Sequence, residues 1–329
     1  MTNYERFEKV LNFQKPDRMP VIEWAPWWDQ TIKRWHTEGM PEEANNYYDI
    51  CRYFELDPVD LFYMDLGAKC PAPKVMGEGI IKDEEDYLAL KKEYDIYEDI
   101  FEGELERCAE HQQKDGAAIW VWHSGFFWAP RVLLGIEPHL MAFYDNPDLM
   151  RRINIDNLEC LFRRAEKITK TLKVSFFVIG DDMSYNHGPM IGEKIFKEQL
   201  APFYKIASTY LRSMGIKVII DSDGLVDEPI RWYRECGCQG FLPLEKQAGV
   251  DLNKYREKYP DYLFVGGFDK LCMDKGEKAI RAEFERLLPV MKQGGYILGV
   301  DHQTPPAVSL EDYRLYLKLF REYAEKAVK

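Results

Sequence analysis

The sequence predicts an α/β fold, a closed (β/α)8 TIM barrel with an N-terminal helix and a β-hairpin insertion after the second strand. Three observations predict it: eight short apolar runs, helical stretches between them, and a length of 329 residues with 46% hydrophobic content. Runs that are apolar throughout belong to parallel strands covered on both faces, and this repeat and length suit a barrel better than an open sheet. No GxGxxG fingerprint follows the first run, so a dinucleotide-binding sheet has no local support. With no low-complexity tract and no Ser/Gly linker, residues 1–329 read as one domain.

The opening MTNYERFEKVLNF carries Thr2 and Glu5 at capping-box spacing and then a helical apolar pattern, an ordinary first helix and not a secretion signal. MPVIEWA near residue 20 and VDLFYMD near 60 are the first two expected strands. The segment from Leu66 to Tyr97 breaks the repeat: PAPKVMGEGIIKDEED sets turn residues around short extended pieces and reads as a β-hairpin over the barrel mouth. The remaining strands are AIWVWHS, VSFFVIGDD, KVIIDSD, GFLPLE, YLFVGGFD and YILGVDH. Helices are expected over residues 147–171, 193–213, 227–236, 251–258 and 275–292.

A balance of 44 basic against 56 acidic residues, net charge -12, argues against nucleic acid, whose binding depends on clustered Lys and Arg. No apolar run approaches the roughly 18 residues of a membrane span. The 7 cysteines make no CxxC pair, which reads as reduced thiols in a cytoplasmic protein.

Nearly every apolar run ends on a polar side chain: Glu23, Asp65, His123, Asp181 with Asp182, Asp221 with Asp223, Glu245, Asp269, and Asp301 with His302. Barrel strands open their carboxyl ends on one face, where active sites of this architecture are built, so these groups are expected to converge. The competing explanation for any one of them is a helix N-cap or the start of a solvated loop. Asp221 and Asp223, two apart in an extended strand, share a side and could bind zinc or another divalent metal together with His302. His302 could equally be a general acid or base. The loop GDDMSYNHGPMI brings Asp181, Asp182, Asn186 and His187 to the same mouth, with Asp182 or His187 as proton donor and Asp181 and Asn186 positioning substrate. Trp24, Trp27, Trp122 and Phe126, with Glu23 and Glu245, are expected to line a largely aromatic pocket for a small ligand, against core packing as the plainer reading of each ring.

RFEKVLNFQKPDRMPV, GDDMSYNHGPMI, PLEKQAGVDL, VGGFDK and GGYILGVDHQTPPAVSLEDY, spread over nearly the whole chain, resemble the uroporphyrinogen decarboxylase superfamily and its cobalamin-dependent methyltransferase branch. The resemblance implies a (β/α)8 barrel. It does not imply action on uroporphyrinogen, because the substrate-binding arginines of those members are missing from EWAPWWDQ, and their third-strand tyrosine falls near Leu133. The methyltransferase branch carries a His-x-Cys pair after the fifth strand and a Cys after the eighth; Asp221, Asp223 and His302 stand there instead, a harder ligand set.

The expected function is therefore O-demethylation of a small methoxylated compound, aromatic ones included, in an anaerobic cytoplasm. The methyl group would pass to cobalamin carried by a separate corrinoid protein, since no DxHxxG motif is present. Two alternatives stand beside it: a metal-free decarboxylase or lyase with His302 and Asp182 as acid and base, and a non-catalytic binding protein. The oligomeric state is left open.

Overall fold

Strands form where Val, Ile and Phe run together, and helices where charged faces separate those runs. In a computed structural model describing residues 1–75, 77–98 and 102–329, the chain packs as two units. The central unit comprises Asp60–Glu110 and Ile119–Gly240; the terminal unit comprises Met1–Val59, His111–Ala118 and Phe241–Lys329. No described helix is long and apolar enough to cross a membrane.

In the central unit the strands β1 (Val59–Met64), β2 (Ala118–Ser124) and β3 (Phe176–Gly180) are followed by a tiny antiparallel pair, β4 (Ser184–Tyr185) and β5 (Gly188–Pro189), and then by β6 (Lys217–Asp221). The sheet order is β1-β2-β3-β6, with β2, β3 and β6 parallel. Every residue of β3 is buried, as a parallel strand covered on both faces requires. The register pairs Ser124 with Gly180 and Gly180 with Asp221, so three strand ends finish in one row. The expected helix over 147–171 spans Pro147–Thr169. The one over 193–213 is present with a π turn at Phe196–Leu200, and Pro229–Glu235 follows β6.

In the terminal unit β7 (Gly240–Leu242), β8 (Leu263–Phe268) and β9 (Tyr296–Val300) lie in that order, with β8 and β9 parallel and wholly buried. The helices Leu252–Lys258 and Glu277–Gln293 match their expected spans. The first helix, Asn3–Leu11, carries the Thr2–Glu5 capping box. Arg256 is 1% exposed and donates to the carbonyls of Pro260, Tyr262, Gly294 and Gly295, its guanidinium lying 4.8 Å from the Phe264 ring. Arg256→Met strands those carbonyls, and we expect it to lower the unfolding free energy by about 3 kcal/mol, read as a fall in the urea midpoint.

Two expectations are corrected. The first run, MPVIEWA, joins no ladder among the described residues: Pro20 and Pro26 bracket it and withhold donors, and Val21 instead exchanges bonds with Asp57, through backbone and carboxylate. In place of the β-hairpin after the second strand, the described residues between Leu66 and Tyr97 hold a short 3-10 turn, Leu66–Lys69, and an α-helix, Glu84–Tyr94; Met76 lies outside the described residues. The physical reason is the Asp83 side chain, which caps the first turn of DEEDYLALKKEY by accepting from Asp86 N. The fold is thus α/β with parallel strands and intervening helices.

Candidate active site

The row of strand ends in the central unit assembles the site. Trp122 lies two residues before Ser124 on β2, and its indole crosses the space above Gly180 to donate from Nε1 to Asp221 Oδ2 at 2.7 Å. Gly180 is required there: a Cβ would stand 1.8 Å from the Trp122 ring. The outer face of the indole is covered by Tyr63 of β1, with centroids 4.5 Å apart and planes 25° from parallel. Tyr63 is 56% exposed, so the aromatic pair forms a platform open to solvent beside the half-buried Asp221.

Asp221 is the site's distinctive group. Burial pushes its carboxyl up to about 7, with the charges of Asp182 and Asp181 adding to the rise and the Trp122 hydrogen bond opposing it. The loop after β3 is folded onto the same strand end: the Asp181 and Asp182 amides both donate to the Asp221 carbonyl, at 2.8 and 3.2 Å. Asp182 sits at φ +39°, held by Arg131, which bonds its carbonyl at 3.0 Å and its carboxylate at 3.1 Å. A carboxyl that carries its proton near neutral pH, next to an aromatic platform, is equipped to protonate a group that leaves as an anion.

The other predicted residues fall into distinct places. Asp181 is 1% exposed and internal, accepting from Tyr204, from Tyr233 at 2.6 Å and from the amides of Phe127 and Trp128. Burial raises its pKa, against the pull of both tyrosines, and it serves as an anchor for the loop. Phe126 is wholly buried, stacked on Phe203 and edge-on to Tyr204. Asn186 and His187 stand exposed at the tip of the β4–β5 hairpin, where the His187 ring meets Tyr185 edge-on. Asp223 does not share a strand face with Asp221: β6 ends at Asp221, and Gly224, at φ +79°, turns the chain tightly against the Tyr185 backbone. Ser222 braces this turn by accepting from Met183 N and Ser184 N.

In the terminal unit, Trp27 is core, packed against Trp35, Tyr47 and Tyr313. Trp24 donates to the Val300 carbonyl at 2.5 Å. Glu23 is 1% exposed; its Oε1 accepts from Trp24 N while Oε2 has no partner among the described residues, and burial, helped by the charge of Asp301, pushes its pKa up to about 8. Asp301 accepts from the amides of Lys246 and Lys270, and burial pushes it up to about 6. His302 and Glu245 are half-buried just beyond β9 and β7. Among the described residues no three His, Cys, Asp or Glu side chains form a group that could hold a metal ion.

Sequence reasoning missed Tyr63, Arg131 and Gly180. Tyr63 carried a signal, an aromatic two residues before the terminal Asp65 of its run. Arg131 and Gly180 carried none, since their roles depend on neighbours 51 and 58 positions away, namely Asp182 and Trp122.

A family model described as uroporphyrinogen decarboxylase (URO-D) matches residues 127–323. Among solved structures the chain is similar to a methyltransferase from Methanosarcina mazei, with 16% identity, 98% of this chain and 99% of that chain covered, and a TM-score of 0.70. That likeness shows a shared fold. A glycosylated endo-β-1,4-xylanase of glycoside hydrolase family 10 from Gloeophyllum trabeum aligns at 12% identity over 67% of this chain and 81% of that chain, but its TM-score of 0.38 carries no argument. No curated protein matches the chain.

Proposed function

Because the chain belongs to the uroporphyrinogen decarboxylase family, we propose that it is a methyltransferase moving a methyl group from a small methoxylated, partly aromatic substrate to a corrinoid protein. The observation that carries this reading is Asp221, a carboxyl still protonated near pH 7 and fixed by Trp122 at the edge of an aromatic platform. The shared fold with a solved methyltransferase supports it in outline.

In this reading the Tyr63–Trp122 pair stacks the ring of the substrate and sets its ether oxygen beside Asp221. Carried by a partner protein, a reduced corrinoid would supply the electron pair for the methyl group. As the C–O bond breaks, Asp221 passes its proton to the departing oxygen, which leaves as a neutral hydroxyl compound. Arg131 holds Asp182, and the Asp182 charge helps keep the Asp221 proton in place until that moment. Metal assistance is not part of the proposal, because one Asp221 oxygen is committed to the Trp122 indole and Asp223 does not share its strand face.

The test is spectroscopic. Mixed with reduced cobalamin and a panel of methoxylated benzenes and alcohols, the enzyme is expected to consume the Co(I) absorbance with at least one substrate. A flat trace across the panel, accompanied by release of carbon dioxide from carboxylated analogues, sinks the methyl-transfer reading. It would favour a decarboxylase, the activity that the family model's description names, with Asp221 donating a proton to the carbanion that loss of carbon dioxide leaves.

A further inference from the structure

Away from the strand ends, the central unit carries a groove of about 570 Å3 between the helix Pro147–Thr169 and the segment running from the π turn at Phe196–Leu200 into the helix Ala201–Ser213. That volume suits a small organic molecule. Phe143, Met150, Leu158, Leu200, Phe203 and Ile206 make its apolar walls. Two of these are rings held from behind: Phe126 stacks on Phe203 with centroids 5.4 Å apart, and Phe127 on Phe143 at 6.2 Å. Gln199 donates to the Phe143 carbonyl at 2.8 Å and ties the two sides together. Glu198, Gln199 and Leu200 lie on the π turn itself, a widened turn that recurs at functional sites. The turn widens where Pro202 has no N–H to offer the helical ladder.

Two further features define the occupant. Asn154 lines the groove, is 1% exposed, and its Oδ1 has no hydrogen-bond partner among the described residues. A buried acceptor is costly to leave unmet, and water settles only where several polar partners meet it, which these walls do not provide. The occupant therefore brings a donor on an otherwise apolar body, flat enough to lie against Phe143 and Phe203. At the rim stand Asp148, Glu198 and Arg151, exposed, none of them in an ion pair with a described residue. Two acids against one base leave the rim negative, which turns carboxylates away.

We propose that this groove binds uncharged phenols, whose hydroxyl donates to Asn154 Oδ1 while the ring lies against Phe143 and Phe203. A methyl ether of the same ring has no hydrogen to give, so the groove separates a phenol from its ether. This preference follows from the orphaned amide oxygen and the apolar walls, and does not depend on the reaction carried out at Asp221.

Equilibrium dialysis of the full chain against 2-naphthol and against its methyl ether, 2-methoxynaphthalene, tests this. The wild type is expected to bind 2-naphthol about tenfold tighter than the ether, the factor that one satisfied acceptor provides. Ile206→Glu, at a wall position 50% exposed, should weaken both probes roughly tenfold or more with an unchanged far-ultraviolet spectrum, because it sets a charge against an apolar ligand. Asn154→Leu replaces the acceptor by an apolar group of similar size, so the two affinities should converge while the ether is held at least as well. Equal affinities in the wild type, no binding below about 1 mM, a preference that survives Asn154→Leu, or binding indifferent to Ile206→Glu overturns the proposal. So does loss of binding in Tyr63→Ala, which puts the probe on the Tyr63–Trp122 platform, or an affinity that falls as protein concentration rises, which means that another chain covers the groove.

Discussion

Asp221→Asn is expected to lower kcat/KM for methyl transfer by about 10² to 10⁴, the usual span for losing a general acid, with little change in substrate affinity. The amide keeps the shape and can still accept from the Trp122 indole, so the platform survives and only the proton is gone. The pH profile should separate this from misfolding. With the carboxyl pushed up to about 7, wild-type activity holds on the acid side and falls about tenfold per unit above that value, as the donor ionises. Asp182→Asn removes one of the charges raising that pKa, so the falling limb should move toward lower pH while the maximum is kept. An Asp221→Asn enzyme that turns over at the wild-type rate, or a profile with no falling limb, would rule out this acid.

The second large effect lies in stability. Glu23 carries a pKa of about 8 in the folded chain against an ordinary 4.5, so between those values the folded state holds a proton that the unfolded state has released. Its contribution is complete below about 4.5 and is lost as pH rises through 8. A shift of that size corresponds to roughly 4 to 5 kcal/mol across the window. Glu23→Gln mimics the protonated side chain. It should match the wild type at pH 5 and exceed it by a few kcal/mol at pH 9 in urea unfolding. Parallel stability curves for the two proteins over that range would show that Glu23 ionises freely. Asp221 slopes the same way in both proteins, so the difference between the curves reports Glu23 together with its charge coupling to Asp301.

The helices were legible because their periodicity is local: Pro147–Thr169, Leu252–Lys258 and Glu277–Gln293 start and stop close to where charge patterning and caps place them. The first run failed as a strand although its residues are buried, since ladders need donors and Pro20 and Pro26 supply none. At the site, Asp221 was legible as the end of an apolar run. Its pairing with Asp223 was not, because the period-two rule holds only while the strand continues. Asp181 shows the deeper limit. Its tyrosine partners, Tyr204 and Tyr233, sit on helices 23 and 52 positions along the chain, and only tertiary packing turns an expected substrate ligand into an internal anchor. Phe126 and Trp27 likewise obeyed the plain reading of aromatic residues, burial in the core.

The bond from the Trp122 indole to Asp221 has an optical consequence. An excited indole is sensitive to charge beside its N–H, so a carboxyl that ionises at about 7 should change the emission of this one fluorophore as it does so. The difference spectrum between the wild type and Trp122→Phe would then trace the proton directly, in resting protein, with no substrate, acceptor or assay. The same side chain that orients the acid makes its ionisation visible as light.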